Sequence, residues 1–304
     1  MNSITRFLRR IVINTRAEEY FVGLRAKSNL IRKFIPVRLR NKFPSIGMII
    51  PKSADYPKND FYSLTRDNTH FKINRSDYVQ WRLFYGVRDN ALLAAKKYLT
   101  PGSVILDIGA NFGAFSLKLA SYIKDHRYAN IQIHAFEPNP KVYDNYKNNL
   151  ALNSNLIDVI HLHPEGMGNE KSKRSFRYTD FNTGAGRVTK KDVEGQFLVE
   201  IKKLDDFANE LNPVKIAFIK LIVEGFEPEV FKGGWKTIQK FRPPIFFEVT
   251  KEWWEENDST IEDILDKLAL MGYRFNIEHF NEMFQYEPAR YALRTQFNLL
   301  AVVE

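Results

Sequence analysis

The 304-residue sequence contains no cysteine. That excludes disulfides, thiolate metal sites and thiol nucleophiles, and it is compatible with a reducing compartment. No apolar run approaches the roughly 18 residues that a membrane-spanning helix needs. The first residues lack a long apolar core and a small-residue cleavage site, so no secretory signal is read. Acids are scarce at one end: residues 1–43 carry eleven Lys and Arg against Glu18 and Glu19. The other 34 basic and 34 acidic residues cancel, so the net charge of +9 describes a basic arm on a neutral body. The basic face across the body that marks a general nucleic-acid binder is missing, and no nucleic acid is expected as partner. Internal repeats and low-complexity tracts are absent as well.

Apolar residues are present in two patterns. Ile4, Phe7, Leu8, Ile11 and Val12 recur at helical spacing, with Arg6, Arg9 and Arg10 off the stripe. A second basic amphipathic patch, Leu30, Ile31, Phe34 and Ile35 with Arg32 and Lys33, stops at Pro36. Three readings of this arm stand side by side. It is a helix docked on its own body, a peripheral contact with an anionic membrane through residues 1–35, or an Arg-rich organellar transit peptide. A cytoplasmic location is expected, with the inner face of a membrane as the alternative. Prolines at 44, 51 and 57 mark a connector, so 1–60 is set apart from a domain over 61–304.

A hairpin is predicted at 62–74 and a helix over 76–98 with a break at Gly86. From Gly102 the pattern becomes alternating strands and helices. Strands are predicted at 103–109, 131–138, 158–163, 216–223 and 244–249, with helices at 114–124, 139–151 and 258–271. Residues 166–196 read as irregular, 197–201 as an inserted strand, and "LDDFANEL" as a short helix. The helix after Gly225 reads as broken at Gly233-Gly234. "YRFNI" and "FNLLAVV" supply the last two strands. Such alternation gives a mostly parallel sheet covered by helices on both faces.

Ligands of open parallel sheets bind beyond the carboxyl ends of the strands. After the first strand stands "LDIGANFGAF", where small residues let backbone N–H groups approach a ligand at a helix N-terminus. The dinucleotide fingerprint would need glycines at 111 and 114, where Asn111 and Ala114 stand, which argues against a nicotinamide-dependent oxidoreductase. Asp107 ends this strand and Glu137 ends the next. Alone, each could be a turn or capping acid. Together they point to a ligand with an amino-acid end and a ribose, and S-adenosylmethionine fits both. The stretch "IAFIKLIVEGFEPEVFKGG" (216–234) holds one lysine, Lys220, in an apolar strand. A buried lysine needs a partner, and its same-face neighbours Phe218 and Ile222 cannot pair with it.

"VILDIGANFGAFSL", "AFEPNP", "GMGNE", "NTGAGR", "IKLIVEGFEPEVFKGG" and "PPIFFEV" occur in the order seen in FkbM-type methyltransferases. The chain resembles that family over roughly 64–304. The resemblance implies an α/β, Rossmann-like class I methyltransferase fold: seven strands in the order 3-2-1-4-5-7-6, the last antiparallel, with helices on both faces. The basic helical extension precedes it. The implied cofactor is S-adenosylmethionine. Asp107, Gly109, Asn111 and Gly113 would line its methionine part, Glu137 would hold the ribose, and Glu165 with Gly166 would flank adenine. No metal is implied. The implied reaction is O-methylation of a hydroxyl on a carbohydrate, glycolipid or polysaccharide precursor.

One position departs from the family pattern, which reads Lys-(apolar)-Asp-(apolar)-Glu-Gly: Ile222 stands where the Asp would be. That raises the alternative of a cofactor-binding protein with weak or no turnover. It also leaves Lys220 to find an acid on a neighbouring strand, Asp107 or Glu248. Lys220, Glu224 and His163 are the candidates for catalysis. The bland readings are a helix cap for Glu224 and packing for His161 and His163. Trp253 and Trp254 are read as lid or packing, and Arg187 as an anion contact or a solvated turn residue.

Overall fold

A computed structural model describes Arg9, 11–13, 51–178, 182–189, 197–279, 282–291 and 293–303. The remainder of the patches at 4–12 and 30–35 lies outside the described residues. Contacts divide the chain into two compact units. The smaller takes Met1–Leu64, Lys72–Val87 and Asp180–Asn182; the larger takes Thr65–Phe71, Arg88–Thr179 and Thr183–Glu304.

In the first part of the body, β1 (Phe61–Arg66) and β2 (Thr69–Asn74) form a two-stranded sheet, followed by α1 (Tyr78–Phe84). Asp77 caps α1 by accepting hydrogen bonds from the Val79 and Gln80 N–H groups. Arg75 donates to Asp60 at 2.7 Å and lies over the rings of Tyr56, Tyr62 and Phe84. Arg9 pairs with Asp55 at 3.0 Å and is 4% exposed, whereas Ile11 is 42% exposed. Helical spacing puts Ile11 on the apolar stripe and Arg9 off it. The structure reverses the two, because Asp55 supplies the countercharge that lets a guanidinium be buried.

The larger unit begins with α2 (Asn90–Ala95), β3 (Val104–Ile108), α3 (Ala114–Asp125), β4 (Gln132–Phe136), α4 (Pro140–Ala151) and β5 (Ile160–His163). Next come β6 (Gly166–Gly168), β7 (Ser172–Arg177), β8 (Arg187–Thr189), β9 (Phe197–Lys203) and α5 (Leu204–Leu211). The chain then forms β10 (Ile216–Leu221), α6 (Glu227–Phe241), β11 (Ile245–Thr250), α7 (Lys251–Glu256) and α8 (Ile261–Leu270). It ends with β12 (Tyr273–His279), β13 (Glu282–Gln285), α9 (Pro288–Tyr291) and β14 (Gln296–Val303).

The main sheet has eight strands in the order β13-β12-β14-β11-β10-β3-β4-β5. From β11 to β5 the neighbours are parallel, while β14 runs antiparallel to both β11 and β12. The family resemblance implies seven strands; the eighth is β13, which folds back on β12. Every residue of β3 and of β10 is buried, as strands covered on both faces must be. From β3 the chain steps outward to β4 and β5, then returns to lay β10 on the other side of β3. That reversal opens a crevice at the carboxyl ends of β3 and β10.

Two sequence expectations are corrected here. Residues 166–196 are not all irregular: β6, β7 and β8 join β9 in a four-stranded sheet, order β6-β9-β7-β8, over a small core of Phe176, Val199 and Ile201. The pattern hides this because charged residues occupy the exposed sides of β7 and β9. Gly233 and Gly234 do not break α6, which runs uninterrupted. They allow it to pack closely instead. A Cβ on Gly233 would stand 1.9 Å from the Gly168 carbonyl oxygen, and one on Gly234 would stand 2.5 Å from Leu204. Among the described residues, no helix is long and apolar enough to cross a membrane.

Candidate active site

The loop after β3 turns through Gly109 (φ 81°), Asn111 (φ 51°) and Gly113 (φ 90°), all left-handed, before α3 begins. Left-handed backbone suits glycine, and asparagine tolerates it. Close packing also demands glycine here. A Cβ on Gly109 would meet the Ile222 carbonyl oxygen at 1.8 Å, and one on Gly113 would meet the Tyr146 ring at 2.5 Å. Asn111 holds the turn through its Oδ1, which accepts from the Phe112 N–H at 2.8 Å and from Thr183 Oγ1 at 3.2 Å. Gly109 and Asn111 keep part of their surface exposed, so the loop presents a backbone edge at a helix N-terminus.

Asp107 lies beneath this loop. It is 0% exposed. Lys220 donates to its Oδ1 at 2.8 Å, and the Ser116 hydroxyl donates to its Oδ2. Each oxygen thus accepts one hydrogen bond from the protein itself, and the ammonium group that Asp107 meets here is that of Lys220. The contact follows from register, since Lys220 on β10 stands opposite Asp107 on β3. Lys220 also donates to the Gly109 carbonyl at 2.8 Å. Its ammonium thus holds Asp107 and the glycine loop together. The missing acid at Ile222 therefore leaves no unpaired lysine.

Glu137 directly follows β4 and is 6% exposed. Its Oε2 accepts from the Asn111 N–H and its Oε1 from the Asn139 N–H, each at 2.9 Å. Burial pushes its carboxyl up to about 7, against the pull of those two donors. One lone pair on each oxygen remains for a diol, and the carboxylate is tied to the glycine loop through Asn111. Glu165 forms an ion pair with Lys202 at 2.8 Å, and Gly166 is buried in β6 against Ile201 and Pro138.

His163 does not join this cluster. Its Nε2 shares a hydrogen bond with His134 Nδ1 at 3.0 Å, and its ring packs on Phe136 and Phe207. β5 lies three strands from β10, about 14 Å at ordinary strand spacing. Burial holds the imidazoles of His134 and His163 below the usual histidine range, His134 at about 3. His163, read from the sequence as a candidate for catalysis, is thus packed among rings away from the β10 turn.

The turn after β10 is the chemically distinct part of the crevice. Glu224 (φ 56°) and Gly225 (φ 97°) are consecutive left-handed residues. Such backbone in a non-glycine residue is sparsely populated and concentrates at functional positions. Glu224 is half-buried, and no described residue donates a hydrogen bond to its carboxylate. Burial, then repulsion from Glu248 and Glu227, pushes its pKa up to about 9, with Lys220 opposing. The turn abuts the glycine loop: the Cβ position of Gly109 lies 3.1 Å from Val223 as well as against the Ile222 carbonyl.

Glu227 escapes a sequence reading, because an acid in the first turn of a helix is ordinary capping. It is 0% exposed. Its Oε1 accepts from the Val223 N–H at 2.8 Å; its Oε2 accepts from the Gly225 N–H at 3.0 Å and from Trp254 Nε1 at 3.1 Å. Trp254 is therefore packing, 1% exposed, while Trp253 lies against Gly225. The Arg187 guanidinium sits 5.0 Å over the Trp253 ring and pairs with Glu256 at 3.2 Å. Thr183, on Asn111, and Arg187, on α7, tie one short segment to both sides of the crevice.

The raised carboxyls have a consequence for stability. Glu137, Glu224 and Glu227 move from 4.5 to about 7, 9 and 8 on folding. The folded chain therefore holds more protons than the unfolded one from about pH 5 to 9. The stability this confers is full below 4.5 and is lost as pH rises through the folded values. Thermal melts of the ligand-free protein should give a lower midpoint at pH 9 than at pH 6, and Glu224→Gln should flatten that slope. Equal slopes in the two proteins would contradict it.

A family model described as "Methyltransferase FkbM domain" matches residues 107–275. Methyltransferase sdnD of Sordaria araneosa is 33% identical over 158 residues, covering 42% of this chain and 59% of its own. The 2-O-methyltransferase NoeI of Sinorhizobium fredii is 28% identical over 184 residues, covering 55% of this chain and 72% of its own. The chain spans 58% of the length of Methyltransferase 1 of Beauveria bassiana and 59% of that of sdnD, less than two thirds of either. Among solved structures, a methyltransferase FkbM of Methylobacillus flagellatus is 16% identical with a TM-score of 0.42, covering 73% of this chain and 52% of that one.

Proposed function

The chain belongs to the FkbM methyltransferase family, and from that premise we propose that it transfers the methyl group of S-adenosylmethionine to a hydroxyl oxygen of a carbohydrate, glycolipid or polysaccharide precursor. The observation that carries this reading is Glu224, a half-buried carboxyl that accepts from no described residue, beside a glycine loop built for close backbone approach. The name of NoeI, a 2-O-methyltransferase, supports oxygen as the acceptor atom.

The residues present fit the cofactor. A Cβ at Gly109 would fill the cradle against Ile222, and Glu137 offers a lone pair on each oxygen at the end of the next strand. Gly109, Asn111 and Gly113 would hold the methionine portion by their backbone, Glu137 the ribose hydroxyls, and Glu165 with Gly166 the adenine side. S-adenosylmethionine supplies a methyl group on a sulfonium, already activated for in-line displacement by an acceptor oxygen, and leaves as a neutral thioether. Positioning then supplies much of the rate. Glu224 takes the hydroxyl proton of the acceptor as its oxygen attacks. Ile222 and Val223 give the crevice an apolar wall that limits water.

The binding-only alternative is not favoured. Its support is the missing acid at Ile222, yet Lys220 has Asp107 and the turn still carries Glu224.

The test is methyl transfer from labelled S-adenosylmethionine to a panel of glycans and glycolipids, with calorimetry alongside. The unaltered chain should bind S-adenosylmethionine and label a hydroxyl-bearing acceptor. Glu137→Gln should weaken binding about 10- to 100-fold, the loss of charge-assisted hydrogen bonds. Affinity within twofold in that variant would remove Glu137 from the ribose site, and transfer to nitrogen rather than oxygen would overturn the acceptor class.

A further inference from the structure

Glu227 reaches none of the atoms that react, yet its arrangement is hard to account for as helix capping alone. A first-turn acid that only caps α6 would receive N–H groups of that helix. Here the carboxyl is held by its own Glu227 N–H, and both oxygens also reach back beyond the start of the helix. They accept from Val223 and Gly225, the residues flanking Glu224, and the Trp254 indole pins the carboxylate from a third side. Converging N–H groups around consecutive left-handed residues form a nest for an oxygen acceptor. In this nest the acceptor is internal, the Glu227 carboxyl. The turn it holds is one that a non-glycine residue resists, since Glu224 sits at φ 56°.

We propose that Glu227 is a positioning residue for methyl transfer: its buried carboxylate clamps the Val223–Gly225 turn and so fixes the direction in which Glu224 faces the acceptor. The inference rests on the functional reading above. Without the carboxylate, the Val223 and Gly225 N–H groups would converge on nothing. The turn would relax towards ordinary backbone and carry Glu224 with it. A misplacement on the scale of 1 Å at a reacting group costs up to about 100-fold in rate. Three charged groups face Glu224: Glu227 from α6, Glu248 from β11 and Lys220 from β10. Replacing Glu227 by an amide removes one of the two repelling acids, so the ascending limb of the pH–rate profile moves to lower pH.

The experiment compares Glu227→Gln and Glu227→Asp with the unaltered chain. Glutamine keeps the size but turns an NH2 towards converging donors; aspartate keeps the charge with a shorter reach. Glu227→Gln should lower kcat about 10- to 100-fold with S-adenosylmethionine affinity within about threefold. Amide hydrogen exchange at Val223 and Gly225 should speed up, the ascending limb should shift to lower pH, and Glu227→Asp should recover part of each change. If glutamine prevents folding, aspartate carries the same readouts at smaller size. Unchanged exchange at Val223 and Gly225, or a rate loss that follows cofactor affinity alone, overturns the proposal. Absence of transfer by the unaltered chain would instead sink the functional reading, which the exchange data distinguish.

Discussion

Glu224→Gln should lower kcat about 100- to 10,000-fold while leaving the S-adenosylmethionine dissociation constant within about twofold. The amide is isosteric but cannot take a proton. Glu224 is set apart from the other acids of the crevice by what does not hold it. Asp107 is engaged on both oxygens, Glu137 accepts two backbone N–H groups, and Glu227 accepts from Val223, Gly225 and Trp254. Only the Glu224 carboxylate, among these four, accepts no hydrogen bond from a described residue. A base acts in its ionised form, and burial with two neighbouring acids pushes Glu224 up to about 9. Its activity should therefore climb as pH rises towards 9, and a positive charge on a bound ligand would bring that climb to lower pH. Initial rates across pH 6–10, with calorimetry at one pH, check both halves. A kcat within threefold of the unaltered chain would remove Glu224 from the chemistry.

Gly109→Ala should destabilise the fold by more than about 4 kcal/mol, in the range that needs a specific structural cause. Two effects combine. A left-handed φ of 81° costs a residue with a Cβ about 1–2 kcal/mol. Steric overlap costs more: the new Cβ would lie 1.8 Å from the Ile222 carbonyl oxygen. That oxygen is backbone, and the Ile222 N–H is itself bonded to the Ile108 carbonyl at 3.1 Å, so neither side can step away cheaply. Gly102→Ala separates the two effects. Its φ of 73° carries the same conformational cost, but nothing lies within 4 Å of the added Cβ. Thermal melts should show a fall of ten degrees or more for Gly109→Ala and only a few for Gly102→Ala. Equal falls would mean that backbone conformation alone, and not the approach of β10 to the loop, makes Gly109 necessary.

Much of this site is legible in the sequence because it follows directly from strand ends. The run at 103–109 reads as a buried strand, the next acid-ended strand stops at Glu137, and the glycine spacing marks a tight loop. A lysine in an apolar strand demands an acid, and Asp107 supplies it across one strand spacing. What cannot be read is which way an acid faces. Asp107 at a strand end looks the same whatever it pairs with, and only register shows that it meets Lys220. The two glycines of α6 look like a break until Gly168 and Leu204 are seen against them. Glu227 looks like a cap because sequence gives its neighbours along the helix, not the turn behind it. Arg9 defeats the pattern for a related reason: amphipathic spacing cannot foresee that Asp55 will neutralise a buried guanidinium.

The most direct measurement is a crystal structure of the full chain with S-adenosylhomocysteine bound. The ribose hydroxyls should bond Glu137, the amino-acid end should lie along Gly109 to Gly113, and the sulfur should face the open side of the Val223–Gly225 turn with Glu224 beside it. A nucleoside bound away from Glu137, or a sulfur turned from Glu224 towards β5 and His163, would contradict the site as drawn.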